Sequence, residues 1–201
     1  LRRFVSSPTY VLNAGMGIVL LLLLSAFALV KKDAMDVMLA TVGEIAPFAA
    51  SVLPMVIVVP VGFCVGMNFI STPSVSLEGK TLWILHSLPV TGRQVLRAKL
   101  AVHLTLTGVP AAVCYVLLAF AHPFSAAELL LGAVLIAGYV LLMASFGLFV
   151  GLKMPNLHWT NEITPIKQGG AVMLALFSGF AYAALIVVGY LLLGSKIGLT
   201  A

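Results

Sequence analysis

The stretch S-A-A-E-L-L-L-G-A-V-L-I-A-G-Y-V-L-L-M-A-S-F-G-L-F-V-G-L, residues 125–152, decides the fold. It opens on Ser125-Ala-Ala-Glu128, the spacing of a capping box, in which a serine and a glutamate satisfy the bare N–H groups of a helix start. After Glu128 no charged residue appears until Lys153. A hydrocarbon core of about 30 Å needs about 20 apolar helical residues, so the stretch reads as a helix crossing a membrane. In lipid every backbone polar group must be paired inside the protein, which leaves helices or closed barrels. The alternation of a barrel strand is absent.

Four other runs have the same character. The expected spans are 10–30, 46–70, 100–121, 126–152 and 169–193, in one transmembrane domain over 1–201. Composition agrees. The chain is 62% hydrophobic and 8% charged, against roughly 25% charged for a soluble domain. The expected fold is an all-α polytopic transmembrane bundle of about five spans. Pro54 and Pro60 predict a kink or unwinding in the second. Pro89 predicts a stop, and Thr91-Gly-Arg-Gln94 a second capping box. Thr164-Pro165 predicts an N-cap and first residue for the fifth span.

Five spans place the two ends on opposite sides. With the N-terminus cytoplasmic, the inner segments hold Arg2, Arg3, Lys80, Arg93, Arg97, Lys99, Lys153 and Lys167, and the outer ones only Lys31, Lys32 and Lys196. The positive-inside rule favours that orientation. The odd count predicts a further span beyond Ala201, and a start at Leu1 rather than Met reads as a fragment.

Several function classes fit poorly. The net charge of +5 is a topology signal here, and no basic block with aromatics points to nucleic acid. Cys64 and Cys114 lie in apolar runs without a CxxC or metal spacing and read as small hydrophobes. The first apolar run is too long, and lacks the small-residue site, for a cleavable signal peptide. An intramembrane enzyme or ion-coupled carrier needs ionisable groups deep in the spans, and the runs contain almost none. His103 reads as a packed or interfacial side chain. His86, His122 and His158 share no metal-like spacing. Neither HExxH nor the GxxxxGK[ST] phosphate loop occurs. Gly62-x-x-x-Gly66 and Gly147-x-x-x-Gly151 permit close helix approach, read first as packing within the chain and second as a dimer contact.

Two polar segments then stand out as cytoplasmic: 71–99 and 153–168. In the first, Leu77, Thr81, Ile84, Leu85 and Leu88 recur at three- and four-residue steps. That spacing predicts a short amphipathic helix over 76–88, with Trp83 at the headgroup boundary. Spacing alone leaves it open whether this is a functional element or a solvated turn with basic anchors.

The residues in these segments carry a resemblance. S-L-E-G-K-T-L-W-I-L-H-S-L-P-V-T-G-R-Q-V-L-R-A-K-L (76–100) resembles the cytoplasmic segment of ABC-2-type exporter permeases through Ser76, Glu78, Gly79, Lys80, Trp83, Leu88, Pro89, Lys99 and Leu100. L-R-R-F-V-S-S-P-T-Y-V-L-N (1–13) resembles the lead into that family's first span. K-M-P-N-L-H-W-T-N-E-I-T-P-I-K-Q-G-G (153–170) resembles the Pro-x-x-x-Trp-x-Asn-Glu loop of large bacterial members, through Pro155, Trp159, Asn161, Glu162 and Lys167.

The resemblance implies a permease subunit of an ATP-driven exporter in a bacterial plasma membrane. It implies no cofactor and no ATPase site in this chain, ATP being used by a partner ATPase subunit. The other partners are a second permease half or copy and membrane lipid, and the chain would be most of one half, such as a C-terminal one. The 71–99 segment becomes a coupling helix. Glu78, Gly79, Lys80, Trp83 and Arg93 are its expected contacts with the ATPase, with Lys153, Trp159 and Glu162 on the second surface. The alternatives are a non-transport membrane interaction or immunity protein, and an intramembrane enzyme.

Overall fold

The computed structural model describes residues 2–31, 33, 37, 40–41, 44, 53–121 and 125–197. Every regular element among them is helical. In chain order these are α1 (Arg2–Ser6), α2 (Pro8–Ala14), α3 (Met16–Val30), α4 (Leu53–Gly66), α5 (Pro73–Ser76), α6 (Leu82–Ser87), α7 (Gly92–His103), α8 (Val109–Ala121), α9 (Ala126–Lys153) and α10 (Gly170–Ile197). A wider π-helical turn, Leu104–Gly108, joins α7 to α8. A second one, Thr164–Gln168, precedes α10.

Among the described residues three helices are long and apolar enough to cross a membrane: Gly92–Phe120, Ala126–Lys153 and Thr164–Gly189. A fourth is added if Pro8–Ala14 and Met16–Phe27, bent by 64° to each other, count as one broken span. This corrects the expected five. In the described part of the second expected span, α4 accounts for 14 residues, and the helix ends at Gly66 instead of running on to 70. Residues 46–52, where that span was expected to begin, lie outside the described residues. The first expected span is broken at Gly15.

The capping chemistry sets several boundaries. Thr91 and Gln94 cap each other's backbone, as do Ser125 and Glu128. The third span therefore starts at Gly92, where the Thr91–Gln94 capping box predicts a helix start, and Gly92–Lys99 forms its polar end ahead of the apolar run from 100. Ser7 accepts from the Tyr10 N–H, with Pro8 in the first turn of α2. Helix α4 continues across Pro60. The unwinding expected there comes later, at 67–72.

The unwound stretch and the break at Gly15 satisfy each other. The Ile18 N–H, in the first turn of α3, is shared between the Gly15 carbonyl at 2.9 Å and Asn68 Oδ1 at 3.1 Å. The Phe69 N–H donates to the Ala14 carbonyl at 3.2 Å. The Tyr10 hydroxyl donates to the Ile70 carbonyl. Backbone freed from a helix away from water is tolerated where protein groups replace the lost bonds. A side chain at Gly17 would collide with the Cys64 carbonyl, so only glycine lets α3 lie this close to α4.

Helix α4 is central, touching α3, α8, α9 and α10. Its Gly62 and Gly66 face the Tyr139 ring, whose hydroxyl donates to the Gly179 carbonyl of α10 at 2.8 Å. Cys64 and Cys114 are both free and buried in this apolar core. A second cluster gathers Phe4, Tyr10, Ile70, Leu77, Trp159 and Ile166.

Candidate functional site

The unwound stretch and the residues after it form a polar knot at the basic end of the third span. Ser71 and Thr72 are buried because glycines face them. A Cβ on Gly147 would sit 2.7 Å from Thr72 Oγ1 and 2.8 Å from Ser71 Oγ, and one on Gly151 would overlap the Thr72 carbonyl. The Gly147-x-x-x-Gly151 motif is thus a seat within the chain. Thr72 leads into Pro73, which opens the one-turn helix α5.

Helix α7 holds α5 from one side. The Ser71 N–H donates to His103 Nδ1 at 3.2 Å, and Lys99 Nζ donates to the Ser74 carbonyl at 2.8 Å. Lys99 also pairs with Glu78 at 2.6 Å, with 10% and 25% of the two side chains exposed. His103 is fully buried. Because its Nδ1 accepts a hydrogen bond, the neutral ring carries its proton on Nε2. Lys99 and His103 stand at i and i+4, on one helix face.

The 154–163 loop holds the other side. Trp159 Nε1 donates to the Ser76 carbonyl at 2.7 Å, and the Asn156 N–H donates to Ser76 Oγ at 3.0 Å. Gly79 lies flat on the loop, where a Cβ would meet the Leu157 carbonyl oxygen at 2.5 Å. The Ser7 hydroxyl donates to Glu162 Oε2 at 3.3 Å, tying in the N-terminal helices. A cavity of about 130 Å³ opens between Tyr10, Ser74, Glu78 and Lys99.

This arrangement replaces the single amphipathic helix expected over 76–88. Helix α5 ends at Ser76, Leu77 and Glu78 turn, Gly79–Thr81 makes one 3₁₀ turn, and α6 follows. Of the expected apolar face, Leu77 is buried while Thr81, Ile84 and Leu88 are exposed. The close seat of Gly79 on Leu157 and the Lys99–Glu78 ion pair both fall at this interruption between α5 and α6.

The eight expected contact residues separate into two groups. Glu78, Gly79, Trp159 and Glu162 lie inside the knot. Trp83, 69% exposed, and the exposed Arg93 and Lys153 point outward. The Lys80 side chain lies outside the described part. Sequence reasoning passed over Asn68, Ser71 and Thr72, took Ser76 only as part of the resemblance, and took His103 only as a packed or interfacial side chain. Two signals could have found them: a polar cluster directly after an apolar run, and the Lys99–His103 pair at helical spacing.

Residues 51–197 match a family model described as "Putative ATP-binding cassette". The chain belongs to this family. The match covers α4, the knot and all three long spans. A search of curated proteins and a search of solved structures give no match.

Membership of this ATP-binding cassette family corrects two expectations. The matched family is described by ATP binding and not as an ABC-2 permease, which overturns the reading of the chain as an exporter permease subunit. It overturns equally the reading of a chain without an ATPase site of its own. The chemistry of ATP binding is not laid out as a phosphate loop here: no strand and no metal-holding group of His, Cys, Asp or Glu occurs among the described residues.

Proposed function

We propose that the chain is a membrane-embedded component of an ATP-binding cassette assembly, in which ATP binding and hydrolysis are converted into movement of the apolar helices through the knot at 68–82. The family match over 51–197 is the observation that carries this reading. The arrangement suits it mechanically. One buried segment touches the third span through His103 and Lys99, the fourth through Gly147 and Gly151, and the loop leading to the fifth through Trp159. A push on that segment reaches three spans as a rigid-body displacement.

In the same reading, Trp83, Arg93 and Lys153 form the outer contact surface for an ATPase component at the cytoplasmic face, and the knot relays the contact inward. The assembly sits in a cell membrane with the basic loops on the cytoplasmic side.

The test is hydrogen exchange on the protein in lipid nanodiscs, alone and in the complex captured with mild detergent. MgATP with vanadate is expected to change protection of 68–82 and 154–163 in material that hydrolyses ATP. Active material whose knot exchanges identically with and without nucleotide would overturn the proposal.

A further inference from the structure

An apolar groove of about 430 Å³ lies between α8 and α9, lined by Leu104, Gly108, Ala112, Ala133, Ala137 and Val140 among others. Its size falls within the about 300–1,000 Å³ of ligand clefts. Small residues on both walls keep it open: a Cβ on Gly108 would lie 3.6 Å from Val140 Cγ1, and Ala112, Ala133 and Ala137 are exposed. Both walls belong to helices able to cross a membrane, so the groove faces acyl chains.

Charge stands at one end of it. Arg93, Arg97 and Leu104 occupy i, i+4 and i+11, a single helix face. The two arginines therefore continue the groove's own wall, and Arg97 lies about 10 Å beyond Leu104 along the axis. Both arginines are exposed and make no ion pair among the described residues. A basic end followed by an apolar channel complements a molecule with an anionic head and a hydrocarbon tail.

We infer that this groove is a binding site for an anionic phospholipid, its phosphate held by Arg93 and Arg97 and one acyl chain laid along Leu104–Val116 against α9. Basic sites beside transmembrane helices favour such headgroups. The inference does not rest on the nucleotide reading.

The experiment is native mass spectrometry of the whole chain from mixed phosphatidylcholine and phosphatidylglycerol nanodiscs. Wild type is expected to retain phosphatidylglycerol over phosphatidylcholine by about thirtyfold, the gain of two surface cations. R93Q/R97Q is expected to lose the preference. Lys153→Gln, on the opposite face of α9 from Ala137, is expected to keep it. Ala137→Phe, or Ala133→Phe if the first does not fold, is expected to reduce retention of both lipids by filling the channel. A preference unchanged in R93Q/R97Q would overturn the site, as would lipid retention unchanged in a folded groove variant. A wild-type dimer without bound lipid that dissociates on Ala137→Phe would instead show that a second copy fills the groove.

Discussion

The indole of Trp159 donates to the backbone carbonyl of Ser76 at 2.7 Å, joining two segments far apart in sequence at a buried point. Helix α5 is a single turn: its Pro73 and Val75 carbonyls accept from the Leu77 and Glu78 N–H groups, the Ser74 carbonyl accepts from Lys99, and the Ser76 carbonyl at its end is met by the indole. Trp159→Phe keeps most of the ring packing and removes the donor. It is expected to destabilise by about 1–3 kcal/mol, and Trp159→Ala by about 3–5 kcal/mol. Denaturant unfolding in one detergent measures both. A Phe variant as stable as wild type would mean that the bond contributes nothing.

Glycines in one helix should respond oppositely to the same change. Gly151→Ala is expected to destabilise strongly, because the new methyl overlaps the Thr72 carbonyl and backbone must shift. At Gly138, in the same helix, a new methyl would have nothing within 4 Å. Gly138→Ala is expected to be neutral or stabilising by up to about 1 kcal/mol, from helix propensity alone. Thermal unfolding of the two variants side by side checks the contrast.

The contrast also marks how far the sequence could be read. Apolar runs longer than 20 residues and two capping boxes announce the third, fourth and fifth spans, since both signals are local. The Gly15 break and the 67–72 unwinding are not local. Each is stabilised by the other through Asn68, Ala14 and Ile18, and the partner of a broken helix end cannot be read from its own neighbours. The amphipathic reading of 76–88 fails for the same reason. Periodicity identifies a helix face, but Gly79 meets Leu157, and Lys99 pulls on Glu78, only after distant segments have assembled. The resemblance likewise picked out Glu78, Gly79 and Trp159 without distinguishing residues that hold the knot from those that face outward.

Glu78 and Lys99 are expected to behave as a coupled pair. Lys99→Met leaves a carboxylate facing a half-closed cavity, and Glu78→Gln leaves a nine-tenths buried ammonium with one acceptor fewer. Each cost should fall between the about 0–1 kcal/mol of a surface pair and the about 3–5 kcal/mol of a buried pair broken on one side. The double variant is expected to lose less than the sum of the two. A double-mutant cycle in denaturant reads the coupling, and strict additivity would show that the two charges act independently.

His103 is expected to act as an acceptor for the Ser71 N–H. His103→Leu fills similar space but leaves that donor buried and unpaired, which costs about 1–3 kcal/mol. His103→Asn can return an oxygen to the acceptor position and is expected to recover part of the loss. Equal stability of the Leu variant and wild type would indicate that Ser71 finds another partner.

The two groups of contact residues make different predictions for ATP coupling. Trp83, Arg93 and Lys153 project outward, so Trp83→Ala, Arg93→Ala and Lys153→Ala should leave unfolding within about 0.5 kcal/mol of wild type. If they contact an ATPase component, the same three changes reduce ATP turnover of the captured complex and the amount of that component recovered with it. Trp159→Ala and Gly79→Ala act inside the knot and should lower stability and turnover together. Stability and turnover measured on each variant separate the cases. Outer variants that keep full turnover and full recovery would exclude that surface as the contact and leave the knot's effects to folding alone.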